Sequence, residues 1–404
     1  MEPRRGKASY SKAVKSTVLV VALAGALALS VVGPVTAAAS ATAPAATPAL
    51  PHIGHVFVIT LENESATSTF SNPAADPYLA TTLPSQGAFL PNFYATGHQS
   101  NDNYVSMVSG QPANLLNQAD CPLYLNFLNL ITLSGIDEGL GCIFPAATQT
   151  VGDQLTGAGL SWKAYQEDMG NAPAREAAAC GHPAVNSLDS TQSAVTGDGY
   201  ATRHDPFVYF HSVIDNQAYC NAHVVAMGSP SGTMPATALT GETGLATDLQ
   251  SVATTPNYSF ITPNLCNDGH DYPCTNQTGG ASALADIDAF LSTWVPLITS
   301  SPAFQQDGLL EITFDEGSTT DTAACCGETP GLGGLLPGIF GPGGGRVGAV
   351  LLSPFIAPGT TTSTSYNHFS ALASIETNFG LPLLGEAQTA TTTFGPDVYT
   401  RPGG

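Results

Sequence analysis

Short runs of consecutive apolar residues alternate along this chain with stretches whose apolar positions recur at helical spacing. His55–Leu61 (HVFVITL) is the clearest run. Its apolar character does not alternate, as a parallel strand covered on both faces requires. Runs at 88–94, 258–262, 309–314 and 347–352 share the pattern and are expected strands. Helices are expected over 103–108, 150–157, 283–299 and 369–379. In the third of these, Leu284, Ile287, Leu291, Trp294 and Ile298 fall at i, i+3, i+7, i+10 and i+14, which makes one apolar face. Strands and helices in alternation predict an α/β fold, with a mostly parallel sheet sandwiched by helices.

The amino end departs from this pattern. Arg4, Arg5, Lys7, Lys12 and Lys15 precede an apolar run over 18–32, and small residues follow, with cleavage points after Ala37 or Ala41. A basic start, an apolar middle and a small-residue end describe a secretory signal peptide over 1–41. The run is shorter than the roughly 20 residues a membrane span needs. Residues 42–52 are an Ala/Pro/Thr linker without periodicity. The folded domain is expected over 53–404, with a Gly/Leu/Pro-rich loop insertion near 327–345.

Charge sharpens the picture. The 404 residues carry 10 Lys or Arg against 31 Asp or Glu, a formal net charge of -21. Half of the cations lie in the leader. After cleavage the chain would keep Lys163, Arg175, Arg203, Arg346 and Arg401 and be more negative still. So few cations cannot neutralise a phosphate backbone, which excludes nucleic acid as a partner. No stable membrane anchor is expected after cleavage, and the protein is expected to be secreted or extracytoplasmic. Eight cysteines, an even number, fit disulfides in that compartment. Proximity nominates Cys121–Cys142, Cys180–Cys220 and Cys266–Cys274, while Cys325 and Cys326 either close a vicinal ring or pair outward. No CxxC pair supports a zinc site.

In open α/β sheets, ligands bind beyond the carboxyl ends of the strands. There the chain places Glu62-Asn63, the turn Thr96-Gly97-His98-Gln99-Ser100, the group Asn264, Asn267, Asp268 and His270, the triplet Asp315-Glu316-Gly317, and Tyr366-Asn367-His368. Each has a plain structural reading. Ser100, Asn101 and Asn367 suit helix caps, and Asp-Glu-Gly suits a turn. Taken together, Glu62, Asn63, Asp315 and Glu316 form a hard oxygen set for a divalent cation. Such a cation beside Ser100 would lower the hydroxyl pKa. A helix N-terminus at Ser100 would offer backbone N–H groups to an anion. His98, His270 and His368 would donate to a phosphoryl group or protonate a leaving group. Phosphoryl transfer to serine followed by hydrolysis fits this set best.

The segments 55–65 (HVFVITLENES), 94–110 (YATGHQSNDNYVSMVSG), 260–271 (FITPNLCNDGHD), 309–317 (LLEITFDEG) and 367–384 (NHFSALASIETNFGLPLL) resemble the blocks of the phosphoesterase family. That family groups bacterial phospholipases C with acid phosphatases within the alkaline phosphatase superfamily. The segments 161–167 (SWKAYQE) and 200–210 (YATRHDPFVYF) look like two further blocks, all in the family's order. The resemblance implies an alkaline-phosphatase-like fold with catalytic Ser100, His270 and His368. It implies metal ligation by Glu62, Asn63, Ser100, Asp315 and Glu316, and contact with substrate by His98, His204, Asn103 and Asp268. Asp315-Glu316 stands where two-metal members have Asp-His, so one divalent ion is expected. Asp102 replaces a frequent Pro and adds an acid near the nucleophile. The expectation is therefore a secreted, metal-dependent phosphomonoesterase of the acid phosphatase type acting on a small phosphate ester. A phospholipase C acting at a phospholipid head group, or a non-catalytic acidic binding protein, are the alternatives.

Overall fold

All seven residues of β1 (His55–Leu61) are buried, because strands flank it on both edges and helices cover both faces. In the computed structural model, residues 50–275, 280–329 and 342–401 are described. The expected leader, most of the linker and the 331–340 segment of the loop insertion lie outside them. The remaining strands are β2 (Ala88–Leu90), β3 (Phe93–Tyr94), β4 (Leu128–Leu133), β5 (Ile136–Leu140), β6 (Trp162–Gln166), β7 (Val224–Ala226), β8 (Tyr258–Thr262), β9 (Gly308–Phe314), β10 (Ala349–Leu352), β11 (Thr360–Thr361) and β12 (Tyr366–Asn367).

Eight of them form one sheet in the order β11-β2-β10-β9-β1-β8-β6-β7. β1 pairs parallel with β8 (Val56 opposite Tyr258) and with β9 (Val56 opposite Leu309). β6 continues the parallel run to β8 and β7. β10 is antiparallel to both β9 and β2. The fold is mixed α/β around a large, mostly parallel sheet. On one face Thr60 donates to the Met107 sulfur, and the helices Ser100–Ser109 and His368–Phe379 cover it. On the other face Phe57 meets Phe304 of the helix Pro302–Asp307. The helix Ala283–Ser300 buries all five residues of its expected stripe. Each such aliphatic or aromatic side chain contributes roughly 1.5–3 kcal/mol when taken out of water.

Three expectations change. The run 88–94 is not one strand: Pro91-Asn92 turns the chain, and β3 leaves the main sheet to pair with β12. The helix expected from 103 begins at Ser100, three residues earlier. Apolar spacing does not register its first turn, which is all polar. The strands β6 and β7 extend the sheet beyond the five runs nominated, because each carries polar or small residues among its apolar ones.

The three nominated cysteine pairings are as expected, and Cys325–Cys326, left open by the sequence, closes the vicinal ring. Among the described residues, no helix is long and apolar enough to cross a membrane.

Candidate active site

The chain leaving β1 makes a sharp turn at Asn63, whose φ of 62° is left-handed. A non-glycine residue rarely holds that conformation unless its surroundings fix it. Here the Asn63 N–H donates to Asp315 Oδ1 at 3.1 Å and its amide donates to Glu62 Oε2 at 3.3 Å. The ends of β1 and β9 are thereby joined side by side, with Asp315 Oδ1 also accepting from the Glu316 N–H at 2.6 Å.

Ser100 is brought to the same place by a loop held from below. Asn103 Oδ1 accepts from the N–H and hydroxyl of Thr96 and from the Gly97 N–H, while its amide donates to the Gln99 carbonyl. At Gly97 a Cβ would sit 2.5 Å from the Asp102 carboxylate oxygens, so any larger residue there would push that side chain aside. Gln99 is the helix N-cap and makes no side-chain cap bond, so Ser100 is the first helical residue. Its hydroxyl is spent elsewhere, donating to Glu62 Oε2 at 2.9 Å. The capping reading therefore does not hold for Ser100, although it does for Asn367, whose side chain accepts from the Ser370 N–H.

Behind Glu62 lies a second shelf. His204 Nδ1 is 3.0 Å from Asp268 Oδ2, and its Nε2 faces Glu62 Oε1 at 3.3 Å. The ring stacks parallel on Tyr104, centroids 5.1 Å apart. His270 sits next to it, its N–H on Asp268 Oδ1 and its Nδ1 on Asp271. Arg203, only 1% exposed, donates from Nη2 to His270 Nε2 at 3.0 Å, and its Nε is buried without a partner. His368 Nε2 lies 2.7 Å from the Asp315 carbonyl oxygen, and His98 Nε2 lies 2.8 Å from that of Asp321.

The structure thus brings together Glu62, Asn63, Ser100, Asp315, Glu316, His204, Asp268, His270 and His368. Asn103, expected at the substrate, instead fixes the loop that carries Ser100. Two further residues complete the site. Arg203 was legible, since it adjoins His204 within the 200–210 block. Asp120 had no such signal, lying in a loop beside Cys121. Its Oδ1 accepts from the Asn101 N–H at 3.0 Å, so a carboxylate of the protein already occupies the helix N-terminus expected to receive the substrate anion.

The electrostatics are those of crowded acids. Burial, then repulsion from Asp315 and Asp268, pushes Glu62 well above the usual carboxylate range. Burial does the same to Asp268, Asp102 and Glu316 and raises Asp315 to about 6. His204 is held well below its ordinary value by burial and the neighbouring Arg203 charge, so its ring is neutral. If Nδ1–H donates to Asp268, a neutral His204 turns its Nε2 lone pair toward Glu62 Oε1. That contact is satisfied by a proton on the raised Glu62 carboxyl or, in its place, by a cation between the two groups. Asp315 Oδ2 and Glu316 Oε2 are buried with no hydrogen-bond partner. Donor atoms of Glu62, His204 and His270 all lie within 4.8 Å of one another. This oxygen-rich set fits a hard or borderline divalent ion.

The chain is 27% identical to an acid phosphatase of Aspergillus fumigatus over 81% of its own length and 55% of the relative's. It is 29% identical to a probable acid phosphatase of Kluyveromyces lactis, over 81% of the chain and 59% of the relative. It therefore spans less than two thirds of these fungal proteins. A phosphatidylinositol-3-phosphatase of Mycobacterium tuberculosis is 23% identical over 85% of the chain and 82% of the relative. Among solved structures, a protein in the alkaline phosphatase superfamily from Vibrio parahaemolyticus aligns with a TM-score of 0.45 at 13% identity, covering 87% of this chain and 73% of that one. The Phosphoesterase family model matches residues 70–382, a span that includes Ser100, Arg203, His270, Asp315 and His368, and the chain belongs to that family.

Proposed function

We propose that the chain is a secreted, metal-dependent phosphoric monoester hydrolase working through a phosphoserine at Ser100. The contact of Ser100 Oγ with Glu62 Oε2 at 2.9 Å, inside a buried set of carboxylates, carries this reading. Glu62, Asn63, Asp315 and Glu316, with His204 or His270, would hold the ion. Bound there, a divalent cation supplies Lewis acidity that favours the serine alkoxide and screens the phosphoryl charge.

The chain's own residues supply the rest. Glu62 Oε2 accepts the Ser100 hydroxyl hydrogen bond, and with the crowded acids offset by a bound cation Glu62 would stay ionised as the acceptor of that proton. Arg203 presents the unpartnered Nε to the phosphoryl oxygens, with His270 packed against the same guanidinium. This buried cation supports anion binding where the helix N-terminus is taken by Asp120. His368 holds the end of β9 through the Asp315 carbonyl. Burial lowers its pKa to about 4, so it is neutral across the working range and serves as a positioning group rather than the acid. Attack by Ser100 Oγ on phosphorus releases the alcohol, and water then cleaves the Ser100–phosphate bond and restores the hydroxyl.

The test is hydrolysis of a chromogenic phosphomonoester by the mature chain, with and without chelator. Ser100→Ala should lower kcat by at least about a thousandfold while near-ultraviolet circular dichroism stays native. Activity that survives both chelation and Ser100→Ala would overturn the mechanism. The similarity to a phosphatidylinositol-3-phosphatase favours a phospholipid monoester as the second substrate class. A rate on a choline phosphodiester exceeding that on monoesters would favour the phospholipase C reading instead.

A further inference from the structure

β9 carries an acid that the catalytic cluster does not use. Side chains alternate along a strand, so Glu311 and Thr313 fall on one face of it. Glu311 stands opposite Val58 of β1, and Thr313 opposite Thr60, which donates to Met107 of the Ser100 helix. Glu311 therefore points under the two helices that begin at Ser100 and His368.

A carboxyl in such a place needs a partner. Glu311 is 2% exposed, and its Oε2 has no hydrogen-bond partner among the described residues. His368 is 1% exposed, and its Nδ1 is buried without a partner as well. Both side chains line one internal cavity of about 10 Å³, whose other walls include Met107, Tyr258, Leu372 and Ile375, all buried. A cavity admits a single water molecule at roughly 10–15 Å³, provided that polar groups edge it. Two orphaned polar atoms do so here.

The donors and acceptors also match. His368 Nε2 lies 2.7 Å from the Asp315 carbonyl oxygen, which can only accept, so Nε2 carries the ring hydrogen. In a neutral imidazole the other nitrogen is then an acceptor. Burial alone pushes Glu311 up to about 8, so its carboxyl keeps a proton to donate. A water between the two accepts from Glu311 and donates to Nδ1.

We infer that Glu311 is a positioning residue, which acts on the active site through one water molecule held between it and His368. The water fixes the His368 ring at Nδ1, and the ring holds the Asp315 carbonyl at Nε2. Asp315 Oδ1 in turn accepts from the Asn63 N–H and keeps the ends of β1 and β9 side by side. The effect on catalysis rests on the reading of Asp315 as a ligand of the catalytic centre, whereas the water does not.

High-resolution crystals of the wild type should show an ordered water within hydrogen-bond distance of both Glu311 and His368 Nδ1. Glu311→Met fills similar space without a polar group, and should lower kcat on a chromogenic phosphomonoester by about tenfold with KM within about twofold of wild type. Glu311→Gln removes the acid equally but keeps a donor for the water, and should hold kcat within about threefold of wild type. Near-ultraviolet circular dichroism reports that both variants are folded, and the wild-type density tests the inference even if Glu311→Met does not fold. Density without a water touching both groups, a Met variant as fast as wild type, a Gln variant as slow as the Met variant, or a loss carried by KM would each overturn the inference. A failed catalytic reading looks different: hydrolysis survives Ser100→Ala and chelation, while the water stays in the density.

Discussion

Glu62 meets Ser100, Asn63 and His204 at once, so its charge governs the site. Replacing it with Gln keeps the shape, relieves the acid crowding and removes one hard ligand. Glu62→Gln should raise the melting temperature of the chelated protein and abolish the further rise that a divalent ion gives the wild type, both read by thermal shift. Arg203 is the matching cation. Arg203→Lys should raise KM for a phosphomonoester by about tenfold or more, since Lys loses the planar fork and the bond to His270, and should lower the melting temperature because Arg203 is fully buried. Away from this cluster, Glu311 on β9 is buried among apolar neighbours including Val58, Met107 and Tyr258, and burial alone pushes it up to about 8. The folded protein must keep that carboxyl protonated where the unfolded chain ionises it. Stability is therefore intact below about pH 4.5 and lost as pH rises toward 8, by up to about 1.4 kcal/mol per pH unit. Glu311→Gln should make the decline in stability between pH 5 and 8 shallower than in wild type, by up to about 1.4 kcal/mol per pH unit, in denaturant titrations run at successive pH values.

At the scale of elements, the loop that leads into Ser100 depends on a distant stretch of backbone. Gly344 N–H donates to the Ala95 carbonyl, Ala95 N–H to Gly345, and Gly317 N–H to Gly344, so residues 95–97, 317 and 344–345 form one seam. A Cβ at Gly344 would lie 2.1 Å from the Gly97 carbonyl oxygen and 2.5 Å from the Ala95 Cβ. Both are held by the fold, so they cannot yield. Gly344→Ala should destabilise the protein by about 2 kcal/mol and lower kcat more than KM rises, since it shifts the loop before Ser100. Little of this seam was legible in the sequence. The glycines stood in a run that read as a surface loop, and their partners lie some 250 positions away. By contrast, the helix Ala283–Ser300 was legible nearly to its ends, because its apolar stripe and its Ser282 cap are local.

For the molecule as a whole, the acids set the pH response. Glu311 is raised to about 8 and Glu376 to about 9, both chiefly by burial, so their contributions decline as pH climbs through the neutral range. The net charge of -21 adds self-repulsion in the same direction. At Asp397, burial would raise the pKa, but bonds from Thr362, Thr364 and Tyr366 outweigh it and hold it low. Its contribution is present above about pH 4 and is lost as pH falls below that. The melting temperature should therefore be highest near pH 5 and drop by pH 8, as a calorimetric pH series will show.

The sequence by itself determined the α/β class, the strands that end in Glu62 and Asp315 and the shortage of cations. All of these are written in short-range periodicity and composition. Only the tertiary structure decided that Ser100 bonds Glu62 rather than capping its helix, and that Asp120 fills the N-terminus meant for an anion. It likewise decided that Arg203 is the buried cation. Those outcomes depend on contacts between residues far apart in the chain, and on which of several equally polar groups burial leaves without water. No local pattern encodes either.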